Sequence, residues 1–182
     1  MKLLVVVDYQ KDFVDGALGF SGAEKLDAGI AEKIRAYSQC GDYILQTMDT
    51  HQADYLSTRE GKHLPVMHCL ENSDGWQTYG QTAQAIAQVL HNPQFRRVNK
   101  VTFPMHPRDM LDVLAWIGEN EITHIEFVGL VSNICVISNI CVFQGALPLA
   151  QVVVDPALIA SHDAKAHAAV LEVMAGLQVE FL

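Results

Sequence analysis

Short, β-branched apolar runs alternate along the chain with stretches of helical periodicity. Leu3–Val7 is almost continuously apolar, the pattern of a strand covered on both faces. Tyr43–Met48, Phe95–Asn99, His124–Val128 and Leu149–Val154 predict four more strands, and Gln178–Leu182 predicts a sixth. Glu24–Tyr37 carries Leu26, Ile30, Ile34 and Tyr37 at spacings of four, four and three, which is one face of a helix. Gly41 is placed to cap that helix at its C-terminus. Gln81–Leu90, Pro107–Glu119, Asn133–Leu147 and Ser161–Met174 predict further helices, with Pro107 in a first turn and Asn133 and Ser161 as N-caps. The polar, irregular stretch Gln52–Thr78 separates a strand from a helix, and a connection of that length is usually functional or locally structured.

Strands alternating with helices predict an α/β fold, with helices on both faces of a mostly parallel sheet. No G-x-G-x-x-G follows the first strand and no Walker A motif occurs, so no organic cofactor is expected. Ser132–Val136 is echoed by Ser138–Val142, an echo read as accidental. The six-residue offset turns Cys135 and Cys141 to different sides of a helix.

Composition narrows the class. The 182 residues are 50% hydrophobic and 18% charged, enough for one domain over residues 1–182 with a sizeable core, and unlike disorder or coiled coil. With 21 acidic against 12 basic side chains, the net charge of −9 argues against nucleic acid or an anionic membrane as partner. Neither Leu3–Val7 nor Leu147–Val154 is long enough for a membrane span or signal-peptide core. The four cysteines show no C-x-x-C pair or regular framework, so reduced thiols and a cytoplasmic protein are expected.

In open α/β sheets ligands bind beyond the carboxyl ends of the strands. The first three predicted strands run into Asp8, Asp49 and Lys100, and the fourth leads through Gly129 to Cys135 at a helix start. An acid, a base and a thiol therefore converge on one edge. Unpaired amides and the helix dipole lower a thiol pKa in a first turn, so Cys135 is expected to be the most readily alkylated cysteine. The same amides can hold an oxyanion. Lys100 beside a thiol and a carboxylate would favour both anions. Asp49 and His51, two apart in extended chain, point the same way and could share a metal completed by a loop histidine, His63 or His68.

Taken together, Val5–Phe13, Asp49-Thr50-His51, Leu64-Pro65 with His68-Cys69, Asn99-Lys100 and Gly129–Val136 resemble the isochorismatase-like cysteine hydrolase superfamily, which includes nicotinamidases. The resemblance spans nearly the whole chain. It implies a three-layer α/β/α sandwich with a six-stranded, mostly parallel sheet, and a triad of Asp8, Lys100 and Cys135. It implies a cis peptide between Leu130 and Val131, with the Val131 and Cys135 amides as oxyanion hole. It implies one divalent metal, zinc, iron or manganese, on Asp49, His51 and His68. Phe13 and Trp76 would supply aromatic surface to the substrate pocket. Leu64 stands where nicotinamidases carry a tryptophan against the substrate ring, and Ser57 lies near where many carry a further histidine. The activity implied is hydrolysis of a small amide, nicotinamide-like or carbamoyl/ureido, by a homo-oligomer. A catalytically silent binding member and a vinyl ether hydrolase of the isochorismatase type are the alternatives.

Overall fold

The computed structural model describes Met1–Leu182. Six strands form one sheet: β1 Lys2–Val7, β2 Tyr43–Asp49, β3 Phe95–Lys100, β4 His124–Leu130, β5 Gln151–Ala160 and β6 Glu180–Phe181. Their order is β3-β2-β1-β4-β5-β6, and every pairing is parallel. Seven helices connect them: α1 Lys11–Val14, α2 Asp27–Cys40, α3 Arg59–His63, α4 Gly80–Val89, α5 Pro107–Ile117, α6 Ile137–Ala146 and α7 Ala164–Gly176.

Two cores flank the sheet because successive strand side chains point to opposite faces. Leu3, Val5 and Val7 of β1 pack with Val113 of α5, Phe143 of α6 and Met174 of α7. Leu4 and Val6 pack with Ile30 and Ile34 of α2 and Ile86 of α4. The result is the expected three layers. β1 lies centrally between β2 and β4, and its C-terminal end opens where the strand order reverses.

Several details differ from the sequence pattern. β5 starts at Gln151, since Leu149 is 93% exposed in the preceding turn, and it continues to Ala160 across an irregular register opposite Phe127 and Gly129. The interrupting Asp155-Pro156 hid the buried Leu158 and Ile159 from the apolar pattern. Asn133 caps nothing: Ser132–Val136 winds as a wider π turn after Val131, and α6 follows without a break. The cap of α7 is Asp163, whose Oδ1 accepts the Lys165 and Ala166 amides, while Ser161 Oγ accepts the Asp163 amide one step earlier. The stretch 52–78 contains a 3-10 turn at Tyr55–Ser57 and the short helix α3. No helix is long and apolar enough to cross a membrane.

Candidate active site

The C-terminal ends of the central strands bring Asp8, Asp49, Lys100 and Cys135 together. Lys100 is the last residue of β3 and pairs in register with Asp49, the last residue of β2. Asp8 follows β1 directly and adopts φ 45°, a left-handed conformation that aspartate tolerates better than most residues. Cys135 lies in the π turn after β4. Gly129, near the end of β4, has φ 115°, and a Cβ there would collide with the Val7 carbonyl. Only glycine lets β4 approach β1 this closely beside Asp8. The Leu130–Val131 peptide bond is cis.

Lys100 is the hub. Its Nζ lies 2.6 Å from Asp8 Oδ2, 3.7 Å from Asp49 Oδ1 and 3.9 Å from Cys135 Sγ. All four residues are buried, Asp8 completely. Asp8 Oδ1 accepts the Thr47 hydroxyl at 2.7 Å. Burial alone would lower the Lys100 pKa, but Asp8, Cys135 and Asp49 hold it above the ordinary lysine value. Burial pushes the Asp8 carboxyl up, opposed by Lys100. Burial also pushes the Cys135 thiol well above its ordinary value, and the neighbouring ammonium does not reverse that. The sequence expectation of a depressed thiol pKa is therefore corrected: removal from water outweighs the helix start. Burial thus disfavours the thiolate, while Lys100 Nζ stays in close contact with the Asp8 carboxyl.

A second cluster shares Asp49. Ligand atoms of Asp49, His51, Glu60 and His68 all lie within 4.8 Å of one another. Asp49 Oδ2 is 3.0 Å from His51 Nε2 and 3.3 Å from His68 Nε2, and Glu60 Oε1 is 3.6 and 3.8 Å from the same nitrogens. The Val66 carbonyl engages His68 Nδ1 at 2.8 Å, which leaves Nε2 facing the other donors. Burial pushes the Asp49 carboxyl up, but Lys100, His51 and His68 bring it below the usual range. Burial pulls His68 down, but its hydrogen bonds to Asp49 and the Val66 carbonyl, with the nearby Asp49 and Glu60 carboxylates, raise it overall. Two imidazoles and two carboxylates suit zinc, iron or manganese. Of the two loop histidines, His68 joins this group. The exposed His63 instead bonds the Arg59 carbonyl through Nδ1 at 2.9 Å.

Glu60 was absent from the sequence reading. One carboxylate in a polar stretch carries no signal by itself, and only α3 turns it toward Asp49. Gln10 was missed as well. Its Nε2 donates to the carbonyls of Asp49 and Trp76, and its Oε1 accepts the Asp49 amide, so it clamps the Asp49 backbone on both sides. A glutamine outside any strand gave no hint of this.

The expected wall residues lie around the second cluster. The Phe13 ring stands edge-on to His68 at 5.5 Å. Trp76 is half-buried and donates its indole N–H to Thr50 Oγ1 at 2.8 Å. Half-buried Leu64 accepts the Tyr55 hydroxyl on its carbonyl at 2.9 Å. Asp12 Oδ2 takes the Cys69 amide at 2.7 Å and so fixes the residue after His68. Val131 is buried, and its carbonyl accepts the Ile134 and Val136 amides inside the π turn.

A family model described as the isochorismatase domain matches residues 2–181. None of the curated protein sequences matches the chain. Several solved structures share its fold. The pyrazinamidase/nicotinamidase of Streptococcus mutans superposes with a TM-score of 0.88 at 22% identity, covering 100% of both chains. The pyrazinamidase of Pyrococcus horikoshii, solved in complex with zinc, gives 0.78 at 20% identity over 100% of this chain and 98% of that one. The N-carbamoylsarcosine amidase of Thermoplasma acidophilum gives 0.76 at 17% identity over 100% and 95%. The fold, the strand-end site and the match over residues 2–181 agree, and the chain belongs to the isochorismatase family.

Proposed function

We propose that this protein is a cysteine amidohydrolase acting on a small amide, nicotinamide-like or carbamoyl/ureido, through an acyl-thioester on Cys135. The observation that carries this reading is the position of Lys100 Nζ, 2.6 Å from Asp8 Oδ2 and 3.9 Å from Cys135 Sγ in a water-poor site. The solved amidases of the same fold support the reaction class.

Burial disfavours the thiolate, so the first step moves the thiol proton. Asp8 takes it as the sulfur attacks the amide carbonyl, and Lys100 balances whichever of the two groups carries negative charge. The Val131 and Cys135 amides receive the tetrahedral oxygen. Asp8 then protonates the departing amine, the C–N bond breaks, and the acyl group remains on sulfur. Water, deprotonated by Asp8, attacks the thioester, the acid departs, and the proton returns to the thiolate.

Asp49, His51, Glu60 and His68 would hold the divalent metal. Once bound, the ion supplies a Lewis-acidic point that orients a polar atom of the substrate. Phe13 and Trp76 would close the apolar side of the pocket, with Leu64 leaving more room than an aromatic side chain.

The test is ammonia release from nicotinamide, ureido compounds and N-carbamoyl amino acids by wild type and Cys135→Ala. Release by wild type that disappears in a folded Cys135→Ala supports the reading. Equal release by both proteins refutes it, and so does silence of both across the panel.

A further inference from the structure

The turn proposed to hold the oxyanion is tied to other elements at both ends: Lys100 Nζ reaches Cys135 Sγ, Asn139 Nδ2 donates to the Cys135 carbonyl at 2.8 Å, and Ser132 is held at the start. Ser132 follows the cis Leu130–Val131 unit and is fully buried. Its Oγ shares a 2.9 Å hydrogen bond with Nδ1 of His167 on α7. Between Ser132 and Cys135 the turn has no other such anchor: Ile134 is apolar, and the Asn133 side-chain oxygen is buried without a partner.

α7 is itself aimed at this point. Asp163 caps its first turn through the Lys165 and Ala166 amides, and the Asp163 carbonyl accepts the His167 amide at 2.9 Å. His167 thus stands one turn into a helix whose start is fixed, and α7 packs against the π turn. The ring is half-buried and reaches neither Cys135 nor Lys100 by hydrogen bond.

We propose that His167 is a positioning residue for the oxyanion turn, acting through the Ser132 hydroxyl to hold the Val131 amide where the tetrahedral oxygen forms. This deepens the amidohydrolase reading and rests on it. A buried serine without this partner would be free to rotate, and the start of the turn, next to Val131, would lose its side-chain tether to α7. Misplaced oxyanion donors slow acyl transfer while leaving the sulfur's own reactivity intact.

That separation supplies the test. Wild type, His167→Ala, His167→Asn and Ser132→Ala are compared for kcat and KM on the amide that wild type turns over. In parallel, the rate of iodoacetamide attack on Cys135 is followed by peptide mapping, because alkylation needs the sulfur but no oxyanion hole. His167→Ala and Ser132→Ala should each lower kcat about tenfold or more, with KM and the alkylation rate within about twofold of wild type. The double variant should be no worse than either single one. His167→Asn, which returns a hydrogen-bonding atom near the place of Nδ1, should recover most of the loss.

Wild-type kcat in His167→Ala overturns the proposal. So does a loss of kcat matched by the same loss in alkylation rate, the mark of a merely structural role. Wild type silent on every amide overturns the amidohydrolase reading itself, and this proposal with it. The two failures are distinct, because only the first leaves an active wild-type enzyme.

Discussion

At the residue scale, the proposed chemistry turns on Lys100, a buried cation shared by Asp8, Asp49 and Cys135. Removing it would strand two buried carboxylates. Lys100→Met should therefore lower stability by about 3–5 kcal/mol in chemical denaturation, and adding Asp8→Asn should give back part of that loss. Two equal and additive losses would show that the ion pair contributes little. Burial also governs the thiol. Burial pushes the Cys135 thiol up, so its thiolate fraction should grow only as pH rises into the alkaline range. At pH 7.5 iodoacetamide should label the exposed Cys40 and Cys141 before Cys135, whose rate should climb steeply above pH 9. Fast, pH-independent labelling of Cys135 between pH 6 and 8 would mean a depressed thiol after all. Asp8, Asp49 and Lys100 were legible because each stands where a predicted strand stops, and Cys135 because it opens the helix after the fourth. The sign of the thiol shift was not legible, since burial depends on chain segments far apart in sequence.

At the element scale, polar side chains set the geometry of parts that hydrophobic packing leaves undetermined. Gly75 lies against the Asp12 carboxylate, and a Cβ there would collide with it. Gly75→Ala should push Asp12 away from the Cys69 amide and displace the neighbouring His68. Zinc affinity, read by calorimetric titration, should fall about tenfold or more, whereas an unchanged affinity would separate Asp12 from the metal cluster. On β4, Glu126 is 3% exposed between the Lys33 ammonium at 2.6 Å and the Tyr37 hydroxyl at 2.8 Å, both from α2. Lys33→Met should destabilise the protein by about 1–3 kcal/mol, less than for a fully buried pair because Lys33 is partly in water. Loss of activity without loss of stability would contradict this structural role. Strand positions and amphipathic helices were legible because their periods survive in the apolar pattern. The caps were less so: Asn133 has the right chemistry for a cap and lies inside a π turn, while Asp163, two residues beyond Ser161, takes the amides.

At the scale of the whole molecule, the parallel sheet gathers residues from positions 8 to 135 at one edge, and the stretch 52–78 delivers Glu60 and His68 onto it. Strand alternation and the strand-end rule made the layered fold and the triad candidates readable. The fourth donor and the Gln10 clamp were not: Glu60 arrives only once that stretch folds back over β2, and Gln10 meets Asp49 only once β1 and β2 lie side by side. Four donors brought together by folding should couple metal binding to stability. A divalent ion at about 100 times its Kd adds about 2.7 kcal/mol, so the thermal midpoint should rise by several degrees with zinc or manganese and fall again with a chelator. Asp49→Ala should abolish that shift, and a midpoint indifferent to metal would contradict the site. The central claim is a covalent acyl-thioester on Cys135, and trapping tests it most directly. Turnover of the active amide with hydroxylamine present should divert part of the acyl group from the free acid to the hydroxamate, or to hydroxyurea products from a ureido substrate. Cys135→Ala should yield neither product. Acid as the sole product at every hydroxylamine concentration, or hydroxamate formed equally by Cys135→Ala, would contradict the thioester.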